Sequence, residues 1–199
     1  MKVGVLALQG DVPEHRAAVT RVLPASDVIS VHTPADLEAV DALTMPGGES
    51  TTISGLLEKS GLWNPLASRI AEGMPVLGTC AGLILLAKRL EASPSGRNPR
   101  TFGALDVTVR RNDYGHQIAS FEGPVHVAGL NGPYPGVFIR APRILSVGKA
   151  AEPVARRDHE IVGVQSGAVV GLTFHPELTH DPRLYAWFLH EVAGPAYRK

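Results

Sequence analysis

Hydrophobic and polar positions alternate along the first 90 residues in the order expected for strands followed by helices. Short apolar runs predict strands at residues 2–8, 28–31, 42–45 and 74–79. Apolar residues at helical spacing, or in one very apolar run, predict helices at residues 12–23, 49–59, 62–72 and 82–90. Because strands that alternate with helices form parallel sheets covered on both faces, this half predicts an α/β fold. Ligands of such sheets bind at the carboxyl ends of the strands.

From residue 102 onward the pattern is dominated by short β-rich runs. These predict strands at residues 105–109, 117–121, 125–127, 137–139, 144–147, 161–165 and 169–173. Several of them are suited to antiparallel hairpins. The polar Pro/Gly/Ser stretch at 91–101 predicts an exposed loop, and residues 182–192 predict a closing amphipathic helix. We expect one domain over residues 1–199 because no stretch looks like a domain boundary.

Composition and charge narrow the classes of function. The chain has 199 residues, with 19 Lys and Arg against 19 Asp and Glu, so its formal net charge is zero. This balance indicates neither a nucleic-acid surface nor a polybasic membrane patch. No apolar run approaches the roughly 18 residues of a membrane span, and residues 1–8 predict a strand instead of a signal peptide. A single cysteine excludes an internal disulfide, so we expect a cytoplasmic protein.

That single cysteine, Cys80, lies between a predicted strand and a predicted helix. Residues 78–82 read Gly-Thr-Cys-Ala-Gly, the pattern of a nucleophile elbow, in which glycines avoid Cβ clashes across a sharp turn. The turn places the thiol at a helix N-terminus, where the dipole and free N–H groups favour negative charge. The N–H of Ala81 would then point toward a developing oxyanion. The alternative is a buried, inert cysteine.

One histidine has the sequence context of a catalytic base. His175 directly follows the apolar strand 169–174, at the edge of the sheet where ligands bind. Glu177 lies two residues further on, and in an extended segment such side chains point the same way, so its carboxylate would hold the His175 tautomer. The alternative is a strand end capped by a charged turn. The other seven histidines have polar or helix-surface contexts: His15, His32, His116, His126, His159, His180 and His190.

A second oxyanion donor is suggested by the glycine pair that follows the predicted strand 42–45. Gly47 and Gly48 allow the backbone to turn its N–H groups outward and form an anion-binding concavity. The alternative is a simple turn in which Ser50 caps the next helix. If this turn and the elbow share one sheet, the donor interpretation is favoured.

Together these segments resemble the class I glutamine amidotransferases, and most closely the glutaminase subunit family of pyridoxal 5′-phosphate synthase, often called the PdxT family. Gly-x-Cys-x-Gly and His-Pro-Glu are common to many amidotransferases. The motifs at residues 8–11, 47–52 and 138–142 are far more specific. The resemblance also includes Glu14-His15 and residues 111–115 and 120–122. The resemblance covers nearly the whole chain. One departure is His116, where the family usually has arginine.

The resemblance implies a three-layer α/β/α, flavodoxin-like fold with a mixed central sheet. It implies that Cys80, His175 and Glu177 hydrolyse L-glutamine to L-glutamate and ammonia without a metal or cofactor. It implies glutamine contacts at Gly47, Gly48, Glu49, Arg111, Ile139 and Arg140, and oxyanion donors at Gly48 and Ala81. A guanidinium suits the α-carboxylate of glutamine, whereas the ordinary alternative for both arginines is surface ion pairing.

The same resemblance implies a partner. A PdxS-type synthase subunit, in a large hetero-oligomer, would combine the ammonia with ribose 5-phosphate (or its ketose isomer) and glyceraldehyde 3-phosphate to give pyridoxal 5′-phosphate. The glutaminase would be weak until that synthase docks. Two alternatives remain: a glutaminase subunit of another amidotransferase, such as that of the imidazole glycerol phosphate pathway, and a non-catalytic regulatory subunit. The motifs at 8–11 and 138–142 oppose the former, and intact Cys80, His175 and Glu177 oppose the latter.

Overall fold

The computed structural model describes residues 1–92, 98–111 and 120–194. The strands are β1 (Val3–Leu6), β2 (Val28–Val31), β3 (Ala42–Met45), β4 (Val76–Thr79), β5 (Ala87–Leu90), β6 (Leu105–Arg110), β7 (Ser120–Val127), β8 (Tyr134–Ile139), β9 (Arg143–Val147), β10 (Glu152–Arg157), β11 (Glu160–Ser166) and β12 (Val169–Leu172). The α-helices are α1 (Val12–Thr20), α2 (Pro34–Glu38), α3 (Ser50–Lys59), α4 (Trp63–Ala71), α5 (Ala81–Leu86) and α6 (Arg183–Trp187).

A mixed sheet forms the centre of the molecule. Its strand order is β2-β1-β3-β4-β12-β11-β10-β7-β8. Neighbouring strands from β2 to β12 in that order are parallel. Neighbouring strands from β12 to β8 are antiparallel. Leu172 of β12 lies opposite Thr79 of β4, so both strands end at the same level of the sheet. The segments that follow, beginning at Cys80 and at Thr173, are therefore neighbours.

The sheet separates two hydrophobic cores, because successive side chains of a strand point to opposite faces. In β4, Val76 belongs to one core and Leu77 to the other. The first core contains residues of α2, α3 and α4, including Leu57. The second contains residues of α1 and α6, including Val19 and Leu184. This arrangement confirms the predicted α/β/α fold with a mixed central sheet.

The predicted helix at residues 82–90 is wrong in its second half. Helix α5 ends at Leu86, and Ala87–Leu90 forms β5, the edge of a smaller sheet of order β5-β6-β9. Arg89 of β5 contacts β6 through Asp106 at 3.1 Å and Thr108 at 3.1 Å. A short apolar run is compatible with either a helix or a strand. Here residues 87–90 form a strand because they pair with β6.

Other elements also differ from the sequence-based predictions. The sequence predicted neither α2 nor β10. The strands predicted at 117–121 and 125–127 form one strand, β7, from Ser120 onward, and residues 117–119 lie outside the described residues. Helix α1 ends at Thr20, and α6 continues as a π-helix, Phe188–Ala193. Among the described residues, no helix has the length and apolar character that crossing a membrane requires.

Candidate active site

Cys80 occupies a sharp turn between β4 and α5. Its backbone has φ 48° and ψ −100°, a strained conformation for a residue with a side chain. The flanking glycines allow close packing, because a Cβ added at Gly78 would lie 2.7 Å from the backbone carbon of Gly82. A Cβ at Gly82 would lie 2.3 Å from the carbonyl oxygen of Met45. The strand, turn and helix at Cys80 therefore have the geometry of a nucleophile elbow.

His175 and Glu177 form a buried hydrogen-bonded pair beside this turn. The backbone N–H of His175 donates to the carbonyl oxygen of Val137 at 2.8 Å, and its Nδ1 lies 2.7 Å from Glu177 Oε1. The predicted extended geometry is wrong, because residues Pro176–Leu178 form a 3₁₀ turn. This turn, and not an i, i+2 alignment, brings the carboxylate back to the imidazole.

The surroundings of His175 stabilise its protonated form. Burial by itself lowers the pKa of His175, but the nearby Asp11, Cys80 and Glu177 side chains, together with the Glu177 charge, raise it to about 12. Its Nε2 atom is buried and has no hydrogen-bond partner among the described residues. Because Nδ1 contacts Glu177, Nε2 is the nitrogen left to exchange a proton with the thiol.

His15 is a member of this site that the sequence analysis missed. Its predicted helix-surface position is wrong, because the side chain is fully buried. His15 Nε2 lies 3.1 Å from Thr79 Oγ1 and 3.4 Å from Glu177 Oε1, and its Nδ1 lies 2.9 Å from the Tyr185 hydroxyl. The available signal was helical spacing, since His15, Ala18 and Val19 form the buried face of α1.

Asp11 is a second missed neighbour. It lies one helical turn before His15, and its Oδ2 atom is 3.4 Å from His175 Nδ1. Asp11, His175 and Glu177 thus bring three potential metal ligands together. However, His175 Nδ1 and Glu177 Oε1 are 2.7 Å apart, whereas two tetrahedral ligands about 2.0 Å from one ion would be about 3.3 Å apart. The donor set fits hydrogen bonding within the site better than metal binding.

The predicted oxyanion loop packs directly against His175. A Cβ added at Gly47 would lie 2.5 Å from His175 Cε1, and one at Gly48, where φ is 150°, would lie 2.6 Å from Gln9 Oε1. Gly10 supports the loop from the other side, because a Cβ there would lie 1.7 Å from the Gly47 carbonyl oxygen. The structure therefore brings the glycine pair to the imidazole in a space that admits no side chain.

Glu49 and Arg111 pair with each other at the open side of the site. Arg111 Nη2 lies 3.1 Å from Glu49 Oε1 and 3.2 Å from Thr51 Oγ1. Glu49, and not Ser50, is the N-cap of α3. Burial raises the pKa of Glu49, but hydrogen bonds from Thr51 and Thr52 outweigh this and lower it.

The remaining predicted substrate residues lie at the end of β8. The carbonyl oxygen of Ile139 is 4.0 Å from Cys80 Sγ, and its side chain is exposed. Arg140 follows with φ 43°. His116 lies outside the described residues, as does the rest of the motif after Arg111.

Comparisons with known proteins match the chain over nearly its whole length. The model of the SNO glutamine amidotransferase family matches residues 5–194. The pyridoxal 5′-phosphate synthase subunit PdxT of Thermococcus onnurineus is 46% identical over 197 residues, covering 96% of this chain and 99% of the relative. The subunit of the same name from Acidothermus cellulolyticus is 48% identical over 201 residues, covering 98% and 95%.

Solved structures of other proteins have a fold similar to that of this chain. A crystal structure of a glutamine amidotransferase is similar with a TM-score of 0.88 and 44% identity, covering 98% of this chain and 100% of that one. A glutamine amidotransferase from Thermotoga maritima has a TM-score of 0.56 at 18% identity, covering 100% and 91%. The second likeness concerns the fold alone.

Proposed function

This chain belongs to the SNO glutamine amidotransferase family, and from that premise we propose that it is the glutaminase subunit of a pyridoxal 5′-phosphate synthase. Relatives named as PdxT subunits of that synthase match over nearly their full length. The observation that carries the proposal is the buried His175–Glu177 pair beside Cys80 at a strand-to-helix elbow. This arrangement of nucleophile, base and orienting carboxylate is that of acyl transfer through a thioester.

The first half of the reaction forms the thioester. His175 already holds the thiol proton on Nε2, so Cys80 is a thiolate, and its sulfur attacks the side-chain amide carbon of L-glutamine. The backbone N–H groups of Gly48 and Ala81 stabilise the oxyanion. Collapse of the tetrahedral intermediate breaks the C–N bond, and His175 donates its proton to the leaving ammonia. Glu177 stabilises the imidazolium until that proton leaves.

The second half releases L-glutamate. His175 removes a proton from water, and the resulting hydroxide attacks the thioester carbon. The C–S bond breaks and leaves the Cys80 thiolate beside protonated His175, which is the state that began the cycle. Every step uses side chains and backbone groups of this chain, so the chemistry requires no cofactor.

Two charged side chains at the open side of the site bind the two charged groups of free glutamine. Arg111 binds the α-carboxylate, and Glu49 faces the α-ammonium. These two side chains now form an ion pair at 3.1 Å, so the zwitterionic substrate would exchange one exposed pair for two. Gly47, Ile139 and Arg140 complete the pocket around the substrate.

The ammonia passes to a PdxS-type synthase subunit within a large hetero-oligomer in the cytoplasm. Free ammonia becomes mostly ammonium at neutral pH and loses its nucleophilicity, which favours a docked acceptor with a sheltered path. The synthase names of the relatives support this acceptor over those of other amidotransferases.

The test compares two nitrogen sources in the reconstituted complex. Wild-type chain with its synthase should release glutamate from glutamine and form pyridoxal 5′-phosphate from either glutamine or an ammonium salt. Cys80→Ala should lose glutamate release and glutamine-dependent synthesis but keep synthesis from the ammonium salt, which shows that the complex is intact. Glutamate release by Cys80→Ala at the wild-type rate would overturn the proposed nucleophile. Failure of the wild type to support synthesis from glutamine would overturn the proposed function.

A further inference from the structure

His15 is a buried polar side chain that the proposed chemistry does not use. It projects from α1 and is fully buried, as are Thr79 and Tyr185, which contact it. Its neighbours also include Glu177, whose Oε1 atom lies 3.4 Å from His15 Nε2 and 2.7 Å from His175 Nδ1. One carboxylate oxygen therefore lies between two imidazoles, and only His175 belongs to the proposed triad.

The contacts of His15 assign the positions of its protons. His15 Nε2 faces two oxygens, Thr79 Oγ1 at 3.1 Å and Glu177 Oε1 at 3.4 Å. A carboxylate accepts hydrogen bonds but cannot donate one, so a hydrogen on Nε2 is shared between these two oxygens. Burial, followed by the nearby charge of Glu177, raises the pKa of Tyr185 well above its ordinary value, so that hydroxyl keeps its proton. The Tyr185 hydroxyl then donates to His15 Nδ1 at 2.9 Å. This donation favours the tautomer with hydrogen on Nε2.

The charge of Glu177 depends on His15 as well as on His175. Burial raises the pKa of Glu177, but its contacts with His15, followed by those with His175, outweigh it and lower the pKa to about 2. Glu177 Oε2 is buried without a hydrogen-bond partner among the described residues, so Oε1 receives both imidazoles. The orientation of this carboxylate thus rests on two donors, one from each histidine.

We propose that His15 is a positioning residue: held by Tyr185 and Thr79, its Nε2–H fixes the Glu177 carboxylate, which in turn orients His175 toward Cys80. The inference rests on the proposed function for its effect on glutamine hydrolysis. Removing the donor would leave the carboxylate free to rotate away from His175. We expect kcat to fall about tenfold to a hundredfold, as for other outer groups that orient a catalytic ligand, while KM stays within twofold.

The first experiment measures kcat and KM for glutamine in the reconstituted complex. His15→Phe should show the fall in kcat, and His15→Gln, whose amide N–H takes the place of Nε2–H, should restore most of it. His15→Asn, whose amide reaches only the Nδ1 position, should not. His190→Phe, on an exposed histidine, is the matched control. If His15→Phe keeps wild-type kcat, or if Gln and Asn behave alike, the proposal is overturned.

A double-mutant cycle separates positioning from a general structural effect. If His15 acts through Glu177, His15→Phe should lower kcat in the wild-type background and have almost no further effect beside Glu177→Ala. Equal losses in both backgrounds would refute the proposal. Should His15→Phe fail to fold in a thermal-unfolding scan, the same cycle is run with His15→Asn and His15→Gln.

A readout that does not involve glutamine distinguishes this inference from the proposed function. Cys80 is the only cysteine of the chain, so alkylation by iodoacetamide reports on that thiol alone. His15→Phe and His15→Asn should slow alkylation, whereas His15→Gln should not. If the wild type hydrolyses no glutamine but this ranking holds, the proposed function fails and the positioning role stands. Equal alkylation rates in all variants would overturn the positioning role.

Discussion

The two sides of the Cys80 site differ in how far their side chains are buried and in whether their polar contacts can be exchanged for new ones. On one side is the buried histidine network, defined as His15, Thr79, Glu177, His175 and Tyr185. All five side chains are buried, and they contact one another. On the other side is the substrate rim, defined as Glu49, Arg111, Ile139 and Arg140. Here the Glu49 side chain is 52% exposed and pairs with Arg111.

This difference shows which hydrogen bonds the protein can exchange. Removing one partner from a buried charged pair costs about 3–5 kcal/mol, because the other charge is left without compensation. An exposed ion pair is worth about 0–1 kcal/mol and can be replaced by new partners. The buried histidine network is therefore suited to holding one geometry through every turnover. The substrate rim is suited to opening for a zwitterion and closing again.

The largest expected effect comes from the buried side. Glu177→Gln should lower kcat by about 10²–10⁴-fold, because the amide can no longer stabilise the imidazolium of His175. KM should change little, since this side chain does not face the substrate. The measurement is steady-state glutamate release by the reconstituted complex.

The control for that variant is Glu58→Gln, on an exposed carboxylate that pairs with Arg100. It should match the wild type in both constants. An unchanged kcat in Glu177→Gln would show that the buried side of the site does not hold a geometry that turnover requires.

The pH dependence of stability tests the same buried pair. The pKa of Glu177 falls from 4.5 to about 2, so its stabilisation is present above pH 4.5 and is lost as pH falls toward 2. The pKa of His175 rises from 6.5 to about 12, so its stabilisation is complete below pH 6.5 and is lost as pH rises toward 12. The contribution of the pair to the free energy of unfolding should therefore be greatest between these two ordinary values. Urea denaturation across pH measures it.

The comparison variant is again Glu177→Gln, which cannot ionise at this position. Its stability should depend less on pH than that of the wild type on both the acid and the alkaline side. Parallel profiles for the two proteins would mean that the pair does not govern this dependence.

Backbone packing beneath the oxyanion loop gives the next effect. Gly10→Ala should lower the free energy of unfolding by about 2–4 kcal/mol. Gly10 has φ 106°, and the new Cβ would lie 1.7 Å from the Gly47 carbonyl oxygen. Chemical denaturation at fixed pH checks the value.

The matched control is Gly55→Ala within α3, where no described atom outside the helix's own backbone and the neighbouring residues lies within 4 Å of the new Cβ. Alanine there should stabilise the protein by about 0.5–1 kcal/mol, since glycine costs more conformational entropy in a helix. If Gly10→Ala and Gly55→Ala shifted the free energy of unfolding in the same direction, close packing at Gly10 would not be the cause.

The smallest expected effect on stability lies at the substrate rim. Arg111→Ala should raise KM for glutamine about tenfold, because it removes the partner of the α-carboxylate. The free energy of unfolding should fall by about 1 kcal/mol, because Glu49 is exposed whereas the Arg111 side chain is only 17% exposed and also loses packing. Arg100→Ala removes another exposed ion pair and should leave KM unchanged. A fall in kcat without a change in KM would place Arg111 in the chemistry instead.

Much of the site could be predicted because its signals are local. Gly-x-Cys-x-Gly between a strand and a helix marks a turn that few other sequences tolerate. The position of His175 after an apolar strand indicated the same sheet edge. The catalytic roles of these residues stay predictions, although the structure brings His175 and Glu177 to 2.7 Å. The two parts of the site meet because β4 and β12 are parallel neighbours, which no local pattern specifies.

The amino-acid sequence by itself determined most of the strands and helices of the first half, apart from α2 and β5, and the elbow at Cys80, and it predicted His175 and Glu177 as the acid–base residues. Only the tertiary structure decided that His15 is buried against Glu177, that residues 87–90 leave the helix for a strand, and that Asp11 reaches His175. The physical reason is that these interactions act over different separations along the sequence. Turn strain and side-chain periodicity act over a few residues, whereas burial of a polar side chain depends on partners such as Tyr185, which lies 170 positions from His15.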